Sequence, residues 1–127
     1  MKIHYHNRHA LPTSQETELG ATYVSFSELI STSDVISLHL ALTHDTERIL
    51  GPPQFAEMKK GVVIVNTARG DLIDEEAMIK ALEEGKVWSA GLDVFDNEPH
   101  VDTRLLGNEK VVISPHIGAA TVETMVS

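Results

Sequence analysis

The sequence contains no cysteine, and its 10 lysines and arginines are outnumbered by 19 aspartates and glutamates. The lack of cysteine excludes disulfides, thiolate metal sites and a cysteine nucleophile. A formal charge of -9 argues against nucleic acid as a partner, because proteins that bind phosphate backbones concentrate positive charge. No apolar run approaches the roughly 20 residues that cross a bilayer, and none follows basic residues near Met1 as in a secretion signal. We therefore expect a cytoplasmic protein that contacts neither nucleic acid nor membrane.

What the sequence does contain is an alternation of short β-branched runs with acid-rich, helix-like segments. The chain has 127 residues and is 42% hydrophobic, which suits one domain with one core. The alternation predicts βαβ units and hence an α/β fold with a largely parallel sheet. The runs lack clean polar alternation, which is typical of interior strands covered on both faces. The predicted strands are 2–6, 22–24, 35–40, 61–66, 89–94 and 111–114.

Three helices are predicted between these strands. The first spans 25–32 and opens at Ser25 or Ser27, since serine is a preferred N-cap. The second spans 53–58, with proline in its first turn. The third is capped by Asp74 and ends at Gly85. The polar, broken stretch 95–110 predicts a loop with at most one helical turn.

Reactive side chains follow three of the strands at their carboxyl ends, where open parallel sheets collect ligands. Arg69 comes after the apolar run 62–66, Asp93 lies within the next predicted strand with Glu98 just beyond it, and His116 follows the last strand. Taken singly, each has a plainer interpretation: Arg69 as a surface turn residue, Glu98 as a solvated acid, His116 as a structural or capping side chain. A charge at Asp93 needs a partner if it is buried.

Taken together, these segments resemble the D-isomer-specific 2-hydroxyacid dehydrogenases over nearly the whole chain. So many correctly spaced elements outweigh the three separate plain interpretations. The segments that carry the resemblance are, in order, SDVISLHL (33–40), LT with a following threonine (42–46), MKKG (58–61), NTARG (66–70), GLDVFDNEP (91–99) and PHIG (115–118).

The resemblance implies an oxidoreductase that acts on a small 2-ketoacid such as glyoxylate or hydroxypyruvate. By it, Arg69 would hold the substrate carboxylate and carbonyl, His116 would donate the proton, and Glu98 would pair with His116. A carboxylate beside an imidazole fixes its tautomer and favours its protonated form. Formate dehydrogenases are similar but have glutamine at the position of Glu98, so the sequence points away from formate.

The expected cofactor is NADP, with NAD possible. A dinucleotide-binding strand that selects NAD usually ends in an acid, whereas an arginine accommodates the 2′-phosphate of NADP. Here the first strand ends in Asn7 and Arg8, which resembles NADPH-preferring glyoxylate and hydroxypyruvate reductases. No metal is expected, because no acid or cysteine completes a set with His4, His6 and His9. The resemblance also implies that Asp93 contacts the nicotinamide carboxamide. The other cofactor-binding residues that it implies are Leu40, Thr67, Ala68, Arg69, His116, Gly118 and Ala119.

The family's first strand and its GxGxxG turn do not occur in this sequence, whose eight glycines are scattered. Since that strand is central in the order 3-2-1-4-5-6 of a Rossmann fold, we expect an incomplete, split sheet. Residues 1–127 would then be a partial NAD(P)-binding domain without the substrate-binding domain, with little activity alone and a possible homodimer in full-length form. Two alternatives remain: a non-catalytic dinucleotide-sensing or interaction module, and an inactive remnant.

Overall fold

The computed structural model describes residues 1–126, and the side chains of residues 1–124. Strands and helices alternate along this range, with a single 3-10 turn at Gly70–Leu72. The strands are β1 (Ile3–Tyr5), β2 (Ala21–Tyr23), β3 (Val35–Leu38), β4 (Val62–Asn66), β5 (Val87–Leu92) and β6 (Val111–Ile113). The helices are α1 (Thr13–Leu19), α2 (Phe26–Thr32), α3 (Pro52–Glu57), α4 (Glu75–Glu83), α5 (Thr103–Leu106) and α6 (Val122–Val126).

The strands form two separate parallel sheets. One has two strands in the order β1-β2, and the other has four in the order β3-β4-β5-β6. Within residues 1–126, no strand joins β1 to β3. The prediction of an α/β fold with a parallel sheet split in two is therefore confirmed.

The core lies on one face of the four-stranded sheet. Ile36 and Leu38 of β3 are buried there against Phe55 of α3 and the apolar stripe of α4. On the opposite face, Val35 is 53% exposed and Val112 of β6 is 73% exposed. The prediction of strands covered on both faces is thus wrong for β3 and β6. The buried side chains of the helices belong to the cluster on the face of Ile36, so they do not cover Val35 and Val112 on the opposite face. None of the helices in residues 1–126 is both long and apolar enough to cross a bilayer.

Local signals account for where the helices begin. The Ser25 hydroxyl accepts a hydrogen bond from the backbone of Glu28 at 3.1 Å, which makes Ser25 the N-cap of α2 and excludes Ser27. Asp74 caps α4 in the same way through Ala77 at 3.1 Å. Helix α3 starts at Pro52, one residue earlier than predicted.

Two differences from the predicted elements bear on the site. Helix α1 was not predicted, because none of its residues is buried and it therefore lacks the apolar stripe that identifies a helix in a sequence. Strand β5 runs over Val87–Leu92 and not over 89–94, so Asp93 follows the strand instead of lying within it. The one-turn helix α5 agrees with the single turn expected in 95–110.

Candidate active site

The predicted reactive side chains all lie on turns at one edge of the four-stranded sheet. Strands β4, β5 and β6 are parallel and in register, with Asn66 opposite Leu92 and Leu92 opposite Ile113. Their carboxyl ends therefore meet at the same edge. The turns that follow them carry Arg69, the Asp93–Glu98 segment and His116, as expected for a ligand site in an open parallel sheet.

Glu98 and His116 are in direct contact. Oε2 of Glu98 lies 2.6 Å from Nδ1 of His116, and Oε1 accepts a hydrogen bond from the backbone N–H of Phe95 at 3.0 Å. The bond to His116, followed by the bond from Phe95, holds the pKa of the Glu98 carboxyl below its usual range. Nε2, on the other side of the His116 ring, has no hydrogen-bond partner among residues 1–124. The pair therefore presents one ring nitrogen that is free to exchange a proton with a ligand.

The loop that carries His116 is anchored on Asp93, whose side chain is only 4% exposed. Oδ1 accepts hydrogen bonds from the Ser114 hydroxyl at 2.6 Å and the Ile117 backbone at 2.9 Å, and Oδ2 accepts one from the Gly118 backbone at 2.9 Å. The hydrogen bond from Ser114 contributes most to holding the pKa of Asp93 below its usual range. Contact of Asp93 with a nicotinamide carboxamide stays a prediction.

The turn that carries Arg69 is held by Asn66, which is 1% exposed and was not predicted as a site residue. Its Nδ2 donates to the carbonyl oxygen of Arg69 at 2.9 Å, and its Oδ1 accepts from the backbone of Ala68 at 3.0 Å. Among the side chains that the structure describes, the exposed Arg69 guanidinium has no partner, and it donates to the carbonyl of Ala68 at 2.7 Å. The sequence signal that could have identified Asn66 is an amide side chain at the end of an apolar strand, because a buried polar group needs hydrogen-bond partners close by.

Gly70 brings the Arg69 turn against the Glu98 loop. A Cβ at this position would lie 2.0 Å from the carbonyl carbon of Phe95 and 2.6 Å from the backbone nitrogen of Asp96. Only glycine fits such an approach between two backbones. Gly70 lies in the NTARG segment, but this contact could not be predicted, because no local sequence pattern reveals what lies opposite a glycine.

Four of the residues predicted to bind cofactor or substrate lie together in an open groove of about 520 Å³ beside the turn. Gly118 lies against Asp93, as above, and Ala119 follows it in an exposed position. The groove is lined by His39, Leu40, Ala41, Leu42, Thr67, Ala68 and Arg69.

Asn7 and Arg8 lie apart from this cluster, at the carboxyl end of β1 in the two-stranded sheet. The carbonyl oxygen of Asn7 accepts a hydrogen bond from the Tyr23 hydroxyl at 2.9 Å, and its Oδ1 accepts from the Arg8 backbone at 3.0 Å. Arg8 forms no ion pair with any side chain in residues 1–124, so its charge is available to an anion. No group of three potential metal ligands is found in the part of the chain that the structure describes.

A pair of acids borders the Gly70 contact. The carboxyl of Asp96, together with partial burial and the charge of Glu47, raises the pKa of Asp71 to about 6. A carboxyl whose pKa rises on folding stabilises the fold while it is protonated, and this contribution is lost as the pH rises through about 6. Deprotonation would leave two like charges beside the joined turns.

We therefore expect the chain to lose thermal stability between about pH 4 and about pH 6, and Asp96→Asn to remove most of that loss. Melting temperatures followed by circular dichroism across this range measure the effect. Asp45→Asn is the matched control, because the side chain of Asp45 is 85% exposed. An unchanged pH dependence in Asp96→Asn would contradict the assignment.

Residues 1–118 match the family model described as "D-isomer specific 2-hydroxyacid dehydrogenase, NAD binding domain". Over 124 residues, the chain is 59% identical to 4-methyl-2-oxopentanoate reductase A of Aspergillus oryzae, covering 98% of this chain and 37% of the relative. It is also similar to the crystal structure of a glyoxylate reductase from Paecilomyes thermophila, with 56% identity and a TM-score of 0.94 over 99% of this chain and 38% of that one.

The D-mandelate dehydrogenase of Rhodotorula graminis in its apo form gives a TM-score of 0.96 at 39% identity, covering 99% of this chain and 37% of that one. The chain thus spans little more than a third of the length of these relatives. Across that span, the chain has the fold of these solved structures, and residues 1–118 match the family model. The chain belongs to the D-isomer specific 2-hydroxyacid dehydrogenases, through the NAD binding domain of that family.

Proposed function

We propose that the protein takes part in the NADPH-dependent reduction of a small 2-ketoacid, such as glyoxylate or hydroxypyruvate, to the corresponding 2-hydroxyacid. The observation that carries the proposal is the Glu98–His116 pair, with Nε2 of His116 free at the edge of the sheet where the Arg69 turn also lies. The names of the similar reductases support a 2-ketoacid as the substrate class.

The chemistry follows from these three side chains. Reduction of a carbonyl places negative charge on its oxygen, and a protonated imidazole can transfer a proton to that oxygen. Glu98 accepts from Nδ1 and so orients Nε2 of His116 for the transfer. The exposed guanidinium of Arg69 is suited to a carboxylate, because it can donate two parallel hydrogen bonds.

Two separate groups of residues are suited to the two ends of the cofactor. A bound nicotinamide would supply the hydride, and the groove beside Thr67 and Ala68, together with the Gly118 segment, is suited to hold it. At the other end, the unpaired Arg8 is suited to a 2′-phosphate. Because these residues include no glycine-rich phosphate-binding turn, we assign them no part in holding the pyrophosphate.

The test is a chimaeric reductase in which these 127 residues replace the matching segment of the Paecilomyes thermophila enzyme. We expect it to oxidise NADPH with glyoxylate, hydroxypyruvate or 4-methyl-2-oxopentanoate, followed by NADPH absorbance. The isolated 127 residues should show negligible turnover, because they span little more than a third of the relatives' length and contain no glycine-rich turn to position the hydride donor. A chimaera that folds and binds NADPH but reduces none of the three acids would refute the function.

The cofactor preference rests on Arg8. Arg8→Ala in the chimaera should raise the Kd for NADPH by about tenfold or more, since an exposed arginine–phosphate contact is worth on the order of 1.4 kcal/mol. The Kd for NADH should change little, which makes NADH the internal control. Lys60→Ala, which removes an exposed charge elsewhere, controls for net charge. Equal losses for both cofactors would exclude Arg8 as the selecting residue.

The proposal extends to a cytoplasmic homodimer, as the resemblance to the family suggests. Static light scattering of the chimaera measures its oligomeric state. Fluorescence microscopy of the tagged protein in its host shows its location. A monomer, or a location in a membrane-bound compartment, would remove that part of the proposal without affecting the chemistry.

A further inference from the structure

Only two polar side chains are buried among residues 1–124, and both lie at the site. They are Asn66, which ends β4, and Asp93, which follows β5. The backbone N–H of Asp93 donates to the carbonyl of Asn66 at 3.1 Å, so the two positions are joined directly. Asn66 holds the Arg69 turn through its side-chain hydrogen bonds, and the buried carboxylate of Asp93 lies next to it.

The hydrogen bonds to Asp93 come from both sides of His116 in the sequence. Ser114 precedes His116 by two residues, whereas Ile117 and Gly118 follow it, and all three donate to the same carboxylate. The segment 114–118 is therefore folded around Asp93. A Cβ on Gly118 would lie 3.0 Å from Oδ2, which is closer than most side chains come, so the loop packs tightly against the carboxylate.

His116 adopts a conformation that needs such support. Its φ is +56°, in the left-handed region that side chains with a Cβ rarely occupy. A residue stays in that region only when its surroundings hold it there. In this conformation Nδ1 of the ring reaches Oε2 of Glu98 at 2.6 Å. The left-handed conformation of His116 and the contact of its ring with Glu98 thus occur together in the structure.

We propose that Asp93 is the positioning residue for His116: by accepting the hydrogen bonds from Ser114, Ile117 and Gly118, it holds His116 in the left-handed conformation from which Nδ1 meets Glu98. The expected effect of Asp93 on catalysis rests on the proposed function, whereas its effect on the conformation of His116 does not. The low pKa of Asp93 supports it, because the group is a carboxylate at neutral pH and accepts all three bonds.

The charged groups near His116 are Glu98, which contacts its ring, and Asp93, which accepts hydrogen bonds from residues on both sides of it in the chain. Contact of Asp93 with a nicotinamide is a different role. A carboxylate has about four acceptor positions, and the loop uses three of them. One acceptor position is left, so the number of hydrogen bonds does not separate the two roles and the experiment has to do so.

The experiment records the imidazole nitrogens of His116 by long-range ¹H–¹⁵N NMR in the 127-residue chain, without cofactor or substrate. Its signals are assigned from their absence in His116→Ala. We expect one tautomer in the parent chain, with the proton on Nδ1 facing Glu98. In Asp93→Asn we expect that tautomer to be lost, together with shifts of the Ile117 and Gly118 amides. Asp34→Asn, at a side chain that is 84% exposed, should leave the signals unchanged.

Ser114→Ala keeps the buried charge and removes one of its three partners, so it should shift the His116 signals in the same direction by a smaller amount. A folded Asp93→Asn chain with unchanged His116 signals would overturn the proposal. If Asp93→Asn does not fold, an unchanged spectrum of His116 in Ser114→Ala overturns it instead.

Kinetics of the chimaera separate positioning from cofactor contact. Positioning predicts that Asp93→Asn lowers kcat for the 2-ketoacid at least tenfold with little change in the Kd for NADPH, whereas loss of a direct contact raises that Kd. A raised Kd with an unchanged kcat overturns positioning. A chimaera that folds and binds NADPH but has no activity refutes the proposed function alone, since the NMR result stands by itself.

Discussion

Replacing His116 by alanine in the chimaeric reductase should lower kcat for 2-ketoacid reduction by about 100-fold to 10,000-fold, the range that general acid catalysis contributes. The reason is the free Nε2 of His116, which Glu98 orients from the opposite side of the ring. Alanine leaves the developing alkoxide without a proton donor. The Kd for NADPH should change little, because the change removes a proton donor and leaves the groove beside Thr67 intact.

The measurement is steady-state kinetics with a 2-ketoacid, together with NADPH binding followed by fluorescence. His44→Ala is the matched control, since the His44 side chain is fully exposed and is none of the residues assigned to the site. We expect that variant to retain the parent kcat. Retention of more than about a tenth of kcat by His116→Ala would show that another group donates the proton.

The second large effect is expected from Gly70→Ala, which should destabilise the chain by about 3 kcal/mol, at the upper end of the cost of overpacking. The added Cβ would lie 2.0 Å from the carbonyl carbon of Phe95 and 2.1 Å from its oxygen. Backbone atoms cannot yield as a flexible side chain can, so the whole Glu98 loop has to move. In the chimaera, the same change should separate Arg69 from the Glu98–His116 pair and lower kcat.

Urea unfolding of the 127-residue chain measures this destabilisation. Gly107→Ala is the control, because Gly107 has a φ of -86° and a Cβ there would meet only the carbonyl of Thr103 at 3.4 Å. Its free energy of unfolding should change by less than about 0.5 kcal/mol. If Gly70→Ala also stays within that limit, the close approach to Phe95 does not exist in solution.

The alternation of strands and helices could be predicted from the sequence because it depends on local patterns. Apolar runs mark β3, β4 and β5, and Asp74 marks the start of α4. Helix α1 could not be predicted, since none of its residues is buried. The exposed face of Val35 was also missed, because the run 35–40 cannot reveal which face of the sheet the helices cover.

The sequence by itself determined the family resemblance, the split sheet and the placement of Arg69, Glu98 and His116 after three strands. Only the tertiary structure decided how those side chains are held. The contacts of Asn66 within the Arg69 turn are local, but those that join the turns to one another connect residues distant in the chain, such as Asp93 with Gly118 and Gly70 with Phe95. The register of the parallel strands brings such residues together, and register is a property of paired strands that no single segment contains.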